Sequence, residues 1–361
     1  MQPHFKIGDE LIKKESSDLF FISEIGVNFY DIAVKLKISP MEAAKHMIKE
    51  AAKAGSHAVK FQAYKAHKLA SKHSPAYWDT TKEPCRSQYE LFKKFDTLND
   101  NDFRELANEC QKNNVYFLAT PFDEEAVDAL DSILLAYKIA SADITNKNLI
   151  KKIVAKKKPV ILSTGASNIE EIKQAGQWIT EGGHKGLAIL HCVLSYPTQP
   201  KDANLGMIRN LNRTFGDFVV GYSDHVPPDS RSDVLIAAFL LGANIIEKHF
   251  TLDKTLTGND HYHAFDPQDL KRFFERVKFI KEIYGDDFKK VIAAERNSRK
   301  FARRSIVAAQ FIPQGTQIAE RMITSKRPGT GISLIFWHDV VGKYASKDIQ
   351  EDEIIEWAKL K

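Results

Sequence analysis

The sequence is poor in cysteine. Its 361 residues include three, Cys85, Cys110 and Cys192. The count is odd and the spacing matches no thiolate metal site, which excludes a disulfide scaffold and points to a reducing compartment. Long apolar runs are also missing. No segment approaches the span of a bilayer, and the N-terminal residues lack the apolar core of a signal peptide. The expectation is a cytoplasmic protein with no membrane partner. Excess charge of one sign is small, with 52 Lys and Arg against 47 Asp and Glu. That balance describes a solvated surface and no nucleic-acid partner. No GxGxxG follows the first β-rich run, which argues against a dinucleotide-binding doubly wound sheet.

What is present is ordinary in bulk and informative in order. Hydrophobic residues make up 43% and charged residues 27%, the balance of a soluble globular chain with room for about two domains. Gly221-Tyr222-Ser223-Asp224-His225 and Ile245-Ile246-Glu247-Lys248-His249-Phe250 each run from β-formers into polar residues and end at or near a histidine. Between them, residues 233–244 read as a helix closed by Gly242, which makes one βαβ unit. Parallel strands point the same way. Both histidines therefore leave the sheet at one end, where two imidazoles can share a divalent metal.

Six β-runs precede this pair, at 19–28, 57–62, 115–122, 136–143, 159–165 and 187–197. Polar residues collect at their C-terminal ends: Glu24 and Asn28; Lys60 and Gln62; Thr120; Lys138, Ser141 and Asp143; Ser163 and Thr164; Tyr196. Ser223, His225 and His249 complete the set. A buried parallel strand is otherwise apolar, and a barrel carries its site on the C-terminal face. The pattern predicts an α/β protein built on a (β/α)₈ barrel. Residues 5–12 read as a hairpin turning at Gly8-Asp9, suited to plugging the barrel floor. Ser39 and Pro40 open a helix that runs to about Ala54, with Ala43, Ala44, Met47, Ile48 and Ala51 on one face. Residues 63–96 form an insertion too long for a plain connection. Its aromatics, Tyr77, Trp78 and Tyr89, argue for an ordered lid. After a helix at 267–284 the texture changes. The expected division is a barrel over 1–284, a charged linker over 285–304 and a small, mostly β domain over 305–361. That last domain is near the lower size limit for independent folding.

Together these motifs resemble the sialic acid (N-acetylneuraminate) synthases and their legionaminic and pseudaminic acid relatives. The resemblance is carried by EIGVN (24–28), VKFQ (59–62), ATPF (119–122), YKIASAD (137–143), ILSTGAS (161–167), LHCVLSYPT (190–198), GYSDH (221–225) and EKHFTLDK (247–254). SIVAAQFIPQGTQI and KRPGTGI in the tail resemble the antifreeze-like (SAF) domain of that family. The resemblance implies condensation of phosphoenolpyruvate with an open-chain N-acyl hexose, such as N-acetylmannosamine, to give a nine-carbon 2-keto acid and phosphate. It implies that Lys60 and Lys138 hold the donor with hydroxyls from Ser141, Ser163 and Ser223. His225 and His249 would ligate Mn²⁺ or Mg²⁺, and Asp143 would orient or deprotonate the attacking water. Glu24, Gln62, Thr120, Tyr196 and Asp260 would line the substrate site. Arg327 would reach into a barrel, that of the partner in a domain-swapped homodimer.

Some readings stay open at this stage. Asp143 is equally a helix N-cap for residues 145–154. Phe29-Tyr30-Asp31, Leu194 and the 63–96 insertion depart from the family pattern where the acceptor should sit. A legionaminic acid synthase taking a diacetamido-dideoxy hexose is therefore an alternative, whereas SAD at 141–143 stands where a pseudaminic acid synthase would carry an SFE-like motif. A synthase making a seven- or eight-carbon keto-acid phosphate, or a non-catalytic sugar-binding barrel, is a further alternative.

Overall fold

The computed structural model describes residues 3–361 apart from 82, 184–185, 259 and 287. The chain divides into two compact units, Met1–Ile283 and Tyr284–Lys361.

The first unit opens with a hairpin, β1 (His4–Ile7) and β2 (Glu10–Lys13), whose register pairs Ile7 with Glu10 across the Gly8-Asp9 turn. Eight parallel strands follow: β3 (Phe20–Gly26), β4 (Ala58–Ala63), β5 (Tyr116–Pro121), β6 (Tyr137–Ile139), β7 (Val160–Ser163), β8 (Leu187–Cys192), β9 (Val219–Asp224) and β10 (Ile245–His249). Their hydrogen-bonded order is β5-β4-β3-β10-β9-β8-β7-β6, with β10 closing onto β3. The result is a near-closed barrel with helices on its outside, as the alternation of β-runs and helical spacing predicts.

Two apolar layers hold it. Outside, strand residues such as Phe21, Val59 and Ile246 bury against helix residues such as Met47, Ile48 and Phe273. Inside, Phe5, Ile7 and Ile12 of the hairpin join Ile22, Ala58, Leu118, Ile161, Leu190 and Ile245 in a separate cluster. The hairpin thus fills the barrel floor. Each of its large side chains contributes about 1.5–3 kcal/mol by burial. Helix α2 (Pro40–Lys53) starts at a full capping box: the Ser39 hydroxyl accepts from the Glu42 N–H, and the Glu42 carboxylate accepts from the Ser39 N–H. Its buried residues are Ala43, Ala44, Met47, Ile48 and Ala51.

Residues 29–31 open a helix, α1 (Phe29–Leu36), with Phe29, Ile32 and Ala33 buried. Two local readings need correction. The β-run at 136–143 stops at Ile139, and Ser141–Asp143 form a 3₁₀ turn. Asp143 does not cap the next helix, because Asn146 does, its side-chain oxygen accepting from the Leu149 N–H.

In the second unit, β11 (Ser305–Ala308) pairs antiparallel with β12 (Ile323–Lys326). Ile306, Ile312, Ile318, Ile332, Val340, Ile349 and Ile355 make its core. The stretch read as a linker carries a short helix at Arg296–Phe301, and the Lys300 carbonyl accepts from the Gly329 N–H. Among the described residues, no helix is long and apolar enough to cross a membrane.

Candidate active site

The site continues the barrel floor by one step. Side chains two residues apart on a strand face the same side. Ile22, Ala58, Leu118, Ala136, Ile161, Leu190 and Ile245 belong to the floor. Two residues beyond them stand Glu24, Lys60, Thr120, Lys138, Ser163, Cys192 and Glu247. Gly221 takes the matching place on β9, followed by Ser223. The seven second-step side chains and Ser223 line one cavity of about 390 Å³ at the C-terminal end of the strands. Gly221 is demanded by crowding, since a Cβ there would lie 2.3 Å from the Ile245 carbonyl oxygen and 2.4 Å from Leu190 Cδ2.

Charge in this layer is paired and dry. Lys60 Nζ is 2.6 Å from Glu24 Oε2. Glu247 Oε1 stands 3.7 Å from both Lys60 Nζ and Lys138 Nζ. Burial pulls Lys60 down, but Glu24 and Glu247 lift it above the ordinary lysine value. Lys138 is drawn down by burial, against the pull of Glu247. The lysines hold Glu247 below the carboxylate range despite its burial. Lys60 also donates to the Thr120 hydroxyl, 3.1 Å away. The second Glu247 oxygen and the Ser163 hydroxyl are buried without a hydrogen-bond partner, a costly state that a bound polar ligand would relieve.

Three imidazoles lie beside this layer. The His225 ring centroid is 5.4 Å from that of His249 and 5.9 Å from that of His263, and the last two are 4.8 Å apart. His225 Nδ1 donates to the Val193 carbonyl at 3.0 Å, which leaves Nε2 with its lone pair. His249 Nδ1 and both His263 nitrogens are buried and unpartnered. Burial holds His225 at about 4 and His249 and His263 well below the ordinary value, so all three are neutral near pH 7. Ligand atoms of His249, Asp260 and His263 lie within 4.8 Å of one another. Neutral imidazoles with free nitrogens beside a carboxylate fit a divalent cation.

The structure brings thirteen of the fourteen expected residues to this one cavity. Glu24, Lys60, Gln62, Thr120, Lys138, Ser141, Asp143, Ser163, Tyr196, Ser223, His225, His249 and Asp260 all line it. Arg327 belongs to the second unit, exposed just past the end of β12. Sequence reasoning missed three residues. Glu247 and Cys192 were open to the period-two argument, being two residues beyond floor residues. His263 gave no signal, because a loop of irregular backbone carries it in. Asp143 is half-buried, and desolvation raises its carboxyl above the ordinary value; Asn146 donates to it at 3.3 Å.

Comparison with known proteins agrees with this geometry. The NeuB family model matches residues 47–289 and the SAF domain model residues 303–361. The N,N'-diacetyllegionaminic acid synthase of Campylobacter jejuni is 37% identical over 92% of this chain and 98% of its own. The N-acetylneuraminate-9-phosphate synthase of Drosophila melanogaster is 31% identical over 97% of this chain and 98% of its own. Among solved structures, the sialic acid synthetase of Leptospira borgpetersenii superposes with a TM-score of 0.70 at 31% identity, covering 82% of this chain and 95% of that one. With both family models matched in order and relatives aligned along nearly its whole length, the chain belongs to the NeuB family and carries a C-terminal SAF domain.

Proposed function

We propose that this chain condenses phosphoenolpyruvate with an open-chain N-acyl hexose, releasing phosphate and a nine-carbon 2-keto acid. The observation that carries the reading is the pair of buried lysines sharing Glu247 in a cavity that also holds a neutral histidine cluster. A dense anion needs fixed positive charge in a dry site, and Lys60 and Lys138 supply it. Ser141, Ser163 and Ser223 add hydroxyl donors; the Ser163 oxygen has no other partner. The enol carbon of the donor attacks the aldehyde carbon, the new C–C bond forms, and the aldehyde oxygen becomes a hydroxyl. Water then adds at the carbon left electron-poor, and the C–O bond to phosphate breaks. Asp143 takes the proton of that water, a role suited to a carboxyl whose affinity for protons burial has raised. Glu24, Gln62, Thr120, Tyr196 and Asp260 position the two substrates.

His225 and His249, with Asp260 and His263 beside them, would hold Mn²⁺ or Mg²⁺. Such an ion would supply Lewis-acid polarisation of the acceptor carbonyl. The names of the relatives pull the acceptor in two directions, one toward diacetyllegionaminic acid and one toward a 9-phosphate. The free thiols suit a cytoplasmic setting. Arg327 reads the acceptor's N-acyl group in the partner's barrel of a tail-exchanged homodimer.

The test is phosphate release from phosphoenolpyruvate by the full chain with a panel of N-acyl hexoses, and mass detection of the product. Release that depends on the sugar and matches keto acid formed is expected. His249→Ala should abolish it while the melting transition persists. Sugar binding without any release would favour a non-catalytic barrel instead.

A further inference from the structure

The histidine cluster has a charged counterpart on the other side of the barrel wall. Side chains on a strand alternate between faces. Ser223 on β9 and Glu247 and His249 on β10 point into the cavity. Val220, Tyr222 and Ile246 point outward and join the apolar layer under the helices. Asp224 and Lys248 share that outward parity. They form an ion pair set into an otherwise apolar layer, with 2% and 1% of their surface exposed. They stand opposite each other in the register of the two strands, and Lys248 Nζ is 2.6 Å from Asp224 Oδ2. Neither lines the cavity.

Lys248 meets each of the three segments that carry an imidazole. Its ammonium donates to the Val226 carbonyl. Asp224 Oδ1 accepts from the Val226 N–H at 3.0 Å and from the Tyr222 hydroxyl at 2.8 Å. The residues on both sides of His225 are thus tied to the pair, and the His225 carbonyl itself accepts from the Thr198 N–H at 3.0 Å. His249 follows Lys248 directly on β10. The ammonium also lies 5.5 Å from the centroid of the Phe265 ring, two residues past His263. The Phe265 N–H donates to the His249 carbonyl at 2.8 Å.

Such a pair adds little to stability. Taking two charges out of water offsets most of their attraction, and apolar residues of similar volume often serve as well. What the pair supplies, and apolar packing does not, is direction. Its hydrogen bonds set the turn at 224–226 at a fixed place beside β10.

We infer that Lys248 is a positioning residue for the histidine cluster. With Asp224 it locks the turn bearing His225 against β10 and against the segment bearing His263, so that the imidazoles meet a divalent cation as one preformed group. The inference rests on the metal reading given above. Groups that orient metal ligands are typically worth about 10–100-fold in metal affinity.

The experiment titrates Mn²⁺ alone into the full-length protein and follows the free ion by electron paramagnetic resonance. Lys248→Met and the double variant Lys248→Met/Asp224→Asn should each bind Mn²⁺ about 10–100-fold more weakly than the wild type. The double variant is included because it leaves no unpaired charge buried. Melting curves establish that each variant is folded. Phosphoenolpyruvate titrated without metal should bind all of them as it binds the wild type, since its lysines, Lys60 and Lys138, lie on the opposite face of the wall. Tyr222→Phe removes one hydrogen bond from Asp224 and keeps the ring. It should weaken Mn²⁺ by about threefold, the worth of one ordinary hydrogen bond, and it decides the matter if the lysine variants do not fold. Unchanged Mn²⁺ affinity in a folded variant overturns the inference and leaves the metal reading standing. So does an equal loss for Mn²⁺ and phosphoenolpyruvate, which would mean general loosening. A wild type that binds no Mn²⁺ removes the metal reading and the inference together.

Discussion

Lys138 shows what the site asks of a single residue. It is buried, its affinity for a proton lowered by that burial and partly restored by Glu247. Lys138→Ala should weaken phosphoenolpyruvate by about 1.5–3 kcal/mol for each charged hydrogen bond lost, with a much smaller effect on the sugar. Separate titrations of donor and acceptor decide this, and equal losses would contradict the assignment. Asp143 yields a pH prediction. Its folded-state affinity for a proton is raised by burial, so the carboxyl stabilises the fold below its unfolded value of about 3.9 and that contribution is lost as pH rises through the folded value. Asp143→Asn has no such loss. The variant's melting temperature should therefore gain on the wild type as pH climbs from acid to neutral, then level off, while turnover drops by about two orders of magnitude or more. A melting difference independent of pH would contradict the burial argument. At this scale the sequence was legible where a strand set the direction of a side chain. Glu24, Lys60, Thr120 and Lys138 follow from alternation, and Glu247 would have followed by the same parity. His263 would not, since only the tertiary path of its loop brings it to His249.

The elements were legible where two signals coincided. Helix α2 combines a Ser39 cap, Pro40 at the first position and an apolar stripe, and its bounds come out within a residue of expectation. The hairpin at the floor had a Gly-Asp turn and apolar alternation. Helix α1 had neither support: its N-cap, Asn28, makes no side-chain capping bond, and it is only eight residues long. Tertiary contact makes it a helix, with Phe29, Ile32 and Ala33 buried against the barrel. The turn at 141–143 was hidden for a different reason, because its residues continue the β-like run of the strand before it. Strand closeness gives an element-scale prediction. β9 and β10 approach so nearly that Gly221→Ala drives a methyl against the Ile245 backbone. It should cost about 1–3 kcal/mol, the usual range for overpacking a filled interior. A lower midpoint in urea unfolding is expected, and an unchanged midpoint would contradict the packing reading of this glycine.

At the scale of the whole molecule, the chain separates into a barrel and a small tail with a core of its own. Composition marked that change near Ser305, where charged helix gives way to short β-runs. It did not mark the helix at Arg296–Phe301, whose charged residues read as solvated linker. Tail exchange in a homodimer makes a prediction that neither unit alone could satisfy. Mixing Lys60→Ala chains with Arg327→Ala chains should restore part of the activity, since one barrel of the mixed dimer then carries neither lesion; mixed dimers without recovery would contradict it. The account as a whole turns on where water goes, to carbon beside Asp143 or to phosphorus. Running the reaction in oxygen-labelled water and weighing the released phosphate decides between them. The account predicts unlabelled phosphate in equal amount to the keto acid. Labelled phosphate, or phosphate without keto acid, would contradict it.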